Sequence, residues 1–361
     1  MPGGRGPTRL SLLQIGKGTV GATLIDQVRE QRPAILERLG VDVVYAGIAG
    51  RRSAAFEPGG IDLARWRQAV EADPGAGGTT LLERAAGALT GPAILVDATA
   101  EEGMAGVYRD AFAAGLHVVT CNKKPLAGPL AEYRGVQEAA RGARRFWLYE
   151  VTVGAGLPVL STLRDLLDSG DALASVEGCF SGTLNFLCAS LDGGGKFSEV
   201  LARAVELGYT EPDPREDLAG QDVARKALIL AREAGLDLEP ADVHLEPFCP
   251  IDRRGDVDKF LEKTATRDAA LAQRWKDAVA RSRRLRYVAS VGGGCGASLK
   301  EVPAESALGR LSGPDNVFVI RTRRYAERPL VVTGPGAGPA VTAAGAFGDI
   351  LKVARAIAKA S

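Results

Sequence analysis

The chain has 361 residues, 46% of them hydrophobic, so it can bury a large core, and its length predicts two domains. Lysine and arginine number 45 against 44 aspartates and glutamates, and this formal charge of +1 gives no basic footprint for nucleic acid or an anionic membrane. No apolar run approaches the roughly 18 residues of a membrane span. Five cysteines without a CxxC pair argue against a metal or disulfide framework. Residues 1–10 lack an apolar signal core, which predicts an irregular start and a cytoplasmic location.

A glycine-rich turn follows the first apolar segment, residues 10–15, which suits a buried parallel strand. An apolar helical pattern then runs from Ala22 to Arg29 and is expected to stop before Pro33. In this order the glycines permit a tight turn and the helix N-terminus faces a pyrophosphate, which predicts a dinucleotide site. The alternative is a tight strand-to-helix turn without a ligand. The residues of the turn are Gly16, Lys17, Gly18, Thr19, Val20 and Gly21.

Two arginines, Arg51 and Arg52, follow the second predicted strand, Val41–Ile48. NAD-binding chains usually place an acid here for the ribose hydroxyls, whereas arginines suit the 2′-phosphate of NADP. The spacing from the glycines exceeds the usual ~20 residues, so the alternative is that both arginines are solvated surface residues.

Two more strands are predicted to reach the same sheet edge. Ala93–Val96 leads to residues 97–100, and His117–Thr120 leads to Lys123 and Lys124 before a proline. Because the carboxyl ends of parallel strands line a cofactor crevice, these lysines are predicted to face a site; the alternative is a surface turn. Residues 58–92 are rich in Gly, Ala and Pro, with helical patterns at 63–70 and 81–88, and carry no catalytic pattern.

The character of the sequence changes after Phe146–Val151, the last predicted strand of the first domain. A glycine-rich turn, Thr152–Pro158, precedes a helix over residues 160–167, and strands separated by helices then predict an α+β second domain. These strands are expected at residues 174–180, 289–291, 297–302 and 317–321. A long amphipathic helix, Val341–Ala360, follows glycines at 334–338, which form either a phosphate-facing turn or a plain helix cap.

The segment Gly208–Lys226 holds five carboxylates and ends on a lysine. Asp213, Pro214 and Glu216 have the pattern of a helix start, and that helix is predicted to run to about Gly235. Asp222 and Lys226 are four residues apart and therefore share a helical face, with Glu211 and Asp217 at its N-terminal approach. Such a face can carry a proton donor beside acids that bind a cation; the alternative is a solvated ion pair.

Six segments, in this order, resemble homoserine dehydrogenase over nearly the whole chain. The most specific is GYTEPDPREDLAGQDVARK. The resemblance implies an α/β fold: a Rossmann-type dinucleotide-binding domain at residues 1–150 and an α+β catalytic and dimerisation domain at 151–335. A helix at 336–361 would pack back onto the first domain. The short form of the family is expected, without a regulatory domain or an aspartate kinase. The six segments are Gly16–Gly21, Thr120–Pro125, Glu150–Pro158, Ser181–Asn185, Gly208–Lys226 and Gly334–Gly345.

The activity that the resemblance implies is reversible reduction of L-aspartate 4-semialdehyde to L-homoserine with NADP, preferred, or NAD, in threonine, isoleucine and methionine biosynthesis. Lys226 would donate the proton, and Lys123 would be a second lysine at the reacting centre, beside the nicotinamide. Glu211 and Asp222 would hold the substrate's amino group and orient the lysines. Further substrate residues would be Tyr209, Asp217, Gly182 and Thr183, and further cofactor residues Thr99 and Gly338. Glu216 stands where relatives often have aspartate, which leaves the role of that position open.

The resemblance also implies a monovalent cation, sodium, held by the Glu150 carboxylate and by the backbone carbonyls of Val153, Ala155 and Leu157. Hard oxygen ligands suit sodium and do not suit zinc. A homodimer built on residues of about 160 to 320 is expected. Another amino-acid or imine oxidoreductase remains an alternative, although it should lack the acid-rich turn. A non-catalytic NADPH-binding sensor is the other, although it should have lost Lys226 or Lys123.

Overall fold

Parallel pairing of buried segments near the start of the chain builds the first of two sheets. The computed structural model describes residues 6–75, 77–252 and 255–360. Residues 1–5 of the predicted irregular start, and Ser361 of the predicted last helix, lie outside the described residues. The chain divides into a first unit, Met1–Gly156 with Gly338–Ser361, and a second unit, Leu157–Ala337.

The sheet of the first unit has the strand order β3-β2-β1-β4-β5-β6. Every neighbouring pair is parallel except β2 and β3, which are antiparallel. This is the order of a dinucleotide-binding sheet, whose ligand crevice lies at the carboxyl ends of β1 and β4. The strands are β1 (Thr8–Ile15), β2 (Val41–Ala49), β3 (Ala54–Phe56), β4 (Ala93–Asp97), β5 (His117–Thr120) and β6 (Trp147–Leu148). β1 starts at Thr8, so the expected irregular start was wrong for residues 8–10.

The first helix does not stop before Pro33, as expected, but runs through it to Leu39. A proline inside a helix removes one backbone donor, and here the loss is offset by burial of Leu24, Val28 and Ile35. The helices of this unit are α1 (Thr19–Leu39), α2 (Trp66–Glu71), α3 (Gly78–Ala85), α4 (Met104–Ala113), α5 (Lys124–Ala127), α6 (Leu130–Ala143), α7 (Val151–Gly154) and α15 (Pro339–Ala360).

The last helix, α15, packs against α1 and the first sheet. Its apolar face contributes Ile350 and Val353, each fully buried in the same core cluster as Leu24 and Val28 of α1. The strand predicted at Phe146–Val151 is reduced to the two residues of β6, and the predicted turn at Thr152–Pro158 contains the helix α7. Short elements of this kind offer too few residues for a periodic pattern to develop.

The second unit holds a six-stranded sheet in the order β12-β11-β7-β9-β10-β8, antiparallel apart from β8 and β10. Its strands are β7 (Leu173–Cys179), β8 (His244–Leu245), β9 (Arg283–Val291), β10 (Cys295–Pro303), β11 (Asn316–Thr322) and β12 (Leu330–Gly334). Its helices are α8 (Leu160–Asp168), α9 (Gly182–Asp192), α10 (Phe197–Glu206), α11 (Pro214–Leu218), α12 (Gln221–Glu233), α13 (Val257–Lys263) and α14 (Asp268–Ala280).

Helices α9, α12 and α14 pack on the inner strands of this second sheet. The residues that alternate with its core positions form an open face on the opposite side. At the β12 edge this face carries Val331, which is 42% exposed, and further along it Lys300 donates to Ser290 Oγ at 2.8 Å. Part of the open face is covered by the chain around Leu308, which packs on Val317 and Val319.

The helix predicted from Asp213 to Gly235 is two helices, α11 and α12, separated at Gly220. Gly220 has φ +72, and a Cβ there would lie 2.0 Å from the Tyr287 hydroxyl, so both the left-handed backbone and the close contact require glycine. The predicted helix start is confirmed: Asp213 caps α11 by accepting from the Arg215 amide, and Pro214 is its first residue.

Across the described ranges, no helix is both long and apolar enough to cross a membrane.

Candidate active site

A cleft of about 680 Å³ opens at the carboxyl ends of the first-unit strands. Its walls are residues 15–18, 50–51, 77–78, 98–101, 104 and 107. The predicted cofactor residues Gly16, Lys17, Gly18, Arg51 and Thr99 therefore share one cavity. Its size falls within the range of sites that bind a cofactor-sized ligand.

The turn after β1 is fixed from behind by Gln14, which is fully buried. Its amide Nε2 donates to the carbonyl oxygens of Gly16 (2.8 Å) and Gly21 (3.0 Å), while Tyr45 donates to its Oε1 at 2.8 Å. A Cβ at Gly21 would lie 2.2 Å from the Gly16 carbonyl oxygen, so the turn closes only with glycine at this position. Sequence reasoning missed Gln14, because a glutamine inside an apolar strand has no motif of its own.

Arg51 and Arg52 occupy different environments. Arg51 lines the cleft with an 87% exposed side chain, and its Nε lies 3.4 Å from Glu101 Oε1 on the opposite wall. Arg52 is exposed and is absent from the lining of the cleft among the described residues. The wall beside Arg51 is completed by Gly77 and Gly78 at the start of α3. No pattern in the 58–92 segment indicated this role.

The other predicted cofactor residues of the first unit lie on its helix ends. Thr19 and Val20 begin α1, and Lys123 is the residue before α5, where its carbonyl accepts from Ala127 at 2.9 Å. Gly338 precedes α15 with φ +114, and its carbonyl accepts from the Thr342 amide at 3.0 Å. These four residues do not line the cleft among the described residues.

The cation ligands predicted in the first unit lie at its last turn. Glu150 is 7% exposed, and its Oε2 lies 3.3 Å from Lys352 Nζ on α15. Val153 belongs to α7, and Ala155 follows with φ +52. Leu157, the fourth predicted ligand, is the first residue of the second unit. Among the described residues no group of three or more His, Cys, Asp or Glu could hold a metal ion.

A buried lysine marks the predicted substrate region of the second unit. Lys226 is 7% exposed, and its Nζ donates to the Phe180 carbonyl at 2.7 Å and lies 2.8 Å from Asp222 Oδ2 one helical turn earlier. Asp222 and Lys226 thus share a face and form the i,i+4 ion pair, in which the lysine is buried while the Asp222 side chain is 48% exposed. A buried ammonium with a carboxylate partner can remain charged and donate a proton locally.

Asp217 lies close enough to Glu211 and Asp222, the partner of this lysine, for their charges to act on it. The Glu211 amide donates to Asp217 Oδ2 at 2.8 Å, and Thr183 Oγ1 lies 3.0 Å from Asp217 Oδ1 and 2.5 Å from the Tyr209 carbonyl oxygen. Burial raises the pKa of Asp217, and the charges of Glu211 and Asp222 raise it further against the lowering effect of its hydrogen bonds. Carboxylates that disfavour each other's charge are stabilised by a bound cation.

The opposite wall of this region starts at α9. Gly182 is its first residue, and a Cβ there would lie 3.1 Å from the Pro314 carbonyl oxygen. Ser181 caps the helix by accepting from the Leu184 amide. Five of the predicted substrate residues therefore lie on two connected stretches of the second unit, joined through the Thr183 hydroxyl. They are Tyr209, Glu211, Asp217, Gly182 and Thr183.

Two family profiles match most of the chain. The profile of the homoserine dehydrogenase NAD-binding domain matches residues 16–150, and the homoserine dehydrogenase profile matches residues 158–351. The chain belongs to the homoserine dehydrogenase family.

Members of the family in several kingdoms resemble the chain. It is 40% identical to the Emericella nidulans homoserine dehydrogenase over 81% of this chain and 85% of that one. It is also 40% identical to a chloroplastic bifunctional aspartokinase/homoserine dehydrogenase of Zea mays, over 96% of this chain but only 39% of the maize protein. The chain thus spans about two-fifths of the length of the bifunctional relatives.

Solved structures show the same fold. A Candida auris protein of unknown function superposes with a TM-score of 0.87 at 32% identity, over 96% of this chain and 98% of that one. A hyperthermophilic archaeal homoserine dehydrogenase in complex with NADPH superposes with a TM-score of 0.74 at 24% identity, over 96% of this chain and 97% of that one. The homoserine dehydrogenase fold therefore extends over nearly all of the chain.

Proposed function

We propose that the chain catalyses the reversible NAD(P)H-dependent reduction of L-aspartate 4-semialdehyde to L-homoserine, a step toward threonine, isoleucine and methionine. The observation that carries the proposal is the buried Lys226 ammonium held by Asp222, whose charge also acts on Asp217 together with that of Glu211. Membership of the family supplies the reaction class, and this geometry supports a site for a zwitterionic substrate whose oxygen must be protonated.

The proton is the part of the reaction that the chain supplies. The bound nicotinamide provides the hydride in the reducing direction, and the aldehyde oxygen then becomes an alkoxide that needs a positive donor. Lys226 is the proposed donor, with Asp222 as its orienting partner and the Phe180 carbonyl fixing the direction of its ammonium. Lys123, from the first unit, is proposed as the second lysine of the centre.

The substrate's ammonium is proposed to bind to the acids of the 211–222 region. Glu211 and Asp222 would contact it, while Asp217 is committed to holding the turn through the Glu211 amide and Thr183. Burial raises the pKa of Asp217, and repulsion from Glu211 and Asp222 raises it further; a cation placed among these carboxylates relieves that repulsion. A substrate without an amino group therefore loses its main electrostatic attraction to the site.

NADP is proposed as the preferred cofactor, with NAD as the second. Arg51 supports this, since its guanidinium lies in the wall of the cleft, where an acid would favour NAD. The archaeal relative was solved in complex with NADPH, which agrees with this choice.

A bound sodium ion is also proposed, from the resemblance, with Glu150, Val153, Ala155 and Leu157 as ligands. The low exposure of the Glu150 carboxylate, which also pairs with Lys352, supports it together with the nearby backbone carbonyls, because hard oxygens suit sodium. The ion would brace the chain after β6. Replacing choline by sodium at constant ionic strength should raise the Tm, and an unchanged Tm would contradict the site.

We further propose a homodimer through the second unit. The open face of its sheet supports this, because it mixes exposed apolar and hydrogen-bonded polar residues and lacks a covering helix among the described residues. Two copies of such a face can cover each other by a two-fold axis.

The direct test of the activity follows nicotinamide reduction by absorbance when L-homoserine is added to the purified protein with NAD or NADP. Reduction with both cofactors is expected, and none with L-serine or L-lactate. L-Lactate tests the amino group, since it has an alcohol and a carboxylate but lacks the ammonium that the acids would bind. Equal rates on lactate and homoserine would contradict the substrate assignment, and the activity would then belong to a different oxidoreductase. Nucleotide binding without turnover of any alcohol would favour the sensor.

A further inference from the structure

A buried tyrosine joins the ends of two first-unit strands. Tyr108 lies on α4 and is fully buried. Its hydroxyl donates to Asp97 Oδ2 at 2.5 Å and lies 2.7 Å from Thr120 Oγ1. Asp97 is the last residue of β4 and Thr120 the last of β5, so one oxygen atom connects the two strand ends from behind.

Each of these strand ends holds a loop. Asp97 Oδ1 accepts from the Thr99 amide at 2.8 Å, which fixes the Thr99 loop, residues 98–101, in the wall of the cleft. Thr120 Oγ1 accepts from the Asn122 amide at 2.9 Å and so fixes the start of the Lys123 loop, residues 121–124. Tyr108 is the link between the two loops.

The directions of these hydrogen bonds follow from the donors available. Since Thr120 Oγ1 accepts from Asn122, its own hydrogen is free to point at Tyr108, whose hydrogen points at the Asp97 carboxylate. The donors therefore all point in one direction and end on the side-chain oxygen of Asp97, an arrangement in which successive hydrogen bonds strengthen each other. Burial and the neighbouring Asp97 raise the pKa of Tyr108 well above its usual value, so the phenol stays protonated as a donor.

Asn122 connects the Lys123 loop to the Thr99 loop directly. Its Nδ2 donates to the Glu101 carbonyl at 2.8 Å, and its Oδ1 accepts from the Lys124 amide at 3.0 Å. Lys123 is thereby flanked by two residues whose backbone amides are both held by side chains of the same network. Asp97, Thr120 and Asn122 are each at most 1% exposed, so water does not compete for these bonds.

We propose that the Tyr108 hydroxyl is a positioning group that sets the Thr99 loop of the cofactor cleft and the Lys123 loop in register with each other. It touches neither cofactor nor substrate in this role. It acts through Asp97 and Thr120, and its loss should loosen cofactor binding before it affects substrate binding. The part of the proposal that concerns Lys123 depends on the function proposed above, whereas the part that concerns the cleft depends only on nucleotide binding.

The experiment compares Tyr108→Phe, Thr120→Val and the double variant by NADPH fluorescence titration, Tm and the KM for homoserine. Each single variant removes one hydroxyl and keeps the shape of the side chain. Each should raise the Kd for NADPH by about three- to tenfold, a typical coupling between groups in contact, with a smaller change in the KM for homoserine. The double variant should bind NADPH no more weakly than whichever single variant binds it less tightly, because both changes break the same series of hydrogen bonds.

Phe112→Leu is the matched control for lost packing. Phe112 lies one turn further along α4 and is 1% exposed, so the change should lower the Tm and leave the Kd for NADPH unchanged. A lowered Tm with an unchanged Kd in both hydroxyl variants, or additive losses in the double variant, would overturn the proposal. If Tyr108→Phe does not fold, the Kd of Thr120→Val for NADPH alone tests the proposal. The titration needs no homoserine turnover, so a failure of the proposed activity would show separately in the rates.

Discussion

Lys226 combines two properties that seldom occur together on a helix surface: its ammonium is buried, and it has a carboxylate partner with a 48% exposed side chain. The exposed side of the pair keeps Asp222 solvated, while the lysine points inward to the Phe180 carbonyl. The pair therefore fixes the direction of the ammonium. In a fully exposed ion pair, the ammonium would not be held in one orientation.

Replacing Lys226 by alanine should lower turnover by about 10²–10⁴, the usual contribution of a positioned proton donor, while the Kd for NADPH stays near that of the parent. Asp222→Ala should lower turnover as well, through lost orientation of the lysine. Arg225→Ala is the matched control, because Arg225 is an exposed cation on the same helix. Steady-state kinetics on the folded variants decide, and turnover of Lys226→Ala within about threefold of the parent would move the role of donor to Lys123.

Replacing Arg51 by alanine should raise the KM for NADP about tenfold and leave the KM for NAD nearly unchanged, because only the 2′-phosphate offers a charged partner. Arg52→Ala should have a much smaller effect, since Arg52 lies outside the cleft lining. The ratio of the two KM values is the measurement. An unchanged ratio in Arg51→Ala would mean that the cofactor preference is set by other residues.

At the scale of secondary structure elements, the glycine turn between β1 and α1 depends on the absence of a single side chain. Gly21→Ala should lower stability by about 1–3 kcal/mol, the cost of inserting a methyl group into a closed contact, and weaken NADPH binding. At Gly18 a Cβ would meet nothing within 4 Å, so Gly18→Ala should keep the parent Tm. Thermal denaturation without nucleotide separates the two. Equal Tm values would show that the turn relaxes around the added methyl.

The elements that sequence could predict were those with many residues of one pattern. The strand at residues 10–15, the glycine turn at 16–21, the helical pattern at 22–29 and the strands of the first sheet's centre follow from apolar runs and glycines. The first helix was predicted to stop before Pro33, but packing holds it together through the proline. The break at Gly220 was not predicted, because nothing in the sequence indicates that the Tyr287 hydroxyl lies beside it. Strands of two or three residues carry too short a pattern: β3 and β8 were not predicted, and the strand predicted at Phe146–Val151 was too long for β6.

The candidate site was predictable where acids and lysines share a helix, as Asp222 and Lys226 do. It was not predictable where distant segments meet. Gly77 and Gly78 reach the cleft from a segment without a catalytic pattern, and Gln14 supports the turn from inside a strand. Such contacts depend on the tertiary arrangement and leave no local spacing to read.

For the whole molecule, stability should fall in mildly acidic solution because of His117. Burial lowers the pKa of His117 to about 4, with the Arg145 charge lowering it further, and its Nδ1 accepts from the Phe146 amide at 3.0 Å. The unfolded chain binds a proton near pH 6.5 and the folded chain does not, so this stability is full above pH 6.5 and is lost as the pH falls toward 4.

The expected loss from this residue is about 2 kcal/mol between pH 7 and 4.5. His117→Asn keeps an acceptor for the Phe146 amide and removes the titration, so it should lose less stability over the same interval. Urea denaturation of both proteins at the two pH values measures the difference. Identical losses would assign the acid sensitivity to other groups.

The proposed dimer should depend on the open face of the second sheet. Val331→Asp places a charge on the exposed edge strand β12 and should shift the protein from dimer to monomer at micromolar concentration, as seen by light scattering. Val279→Asp is the control, because Val279 is 46% exposed on α14 instead of on the sheet. A parent protein that is already monomeric would refute the dimer.

The first unit is built from two separate stretches of chain, with the entire second unit between them. During synthesis, α1 therefore leaves the ribosome long before α15, the helix that packs against it. At about 5–20 residues per second, the apolar surface of α1 remains uncovered for many seconds while the second unit emerges. A nascent chain with such a delay is a natural client for chaperones, and the nucleotide fold reaches its final packing only after α15 has emerged.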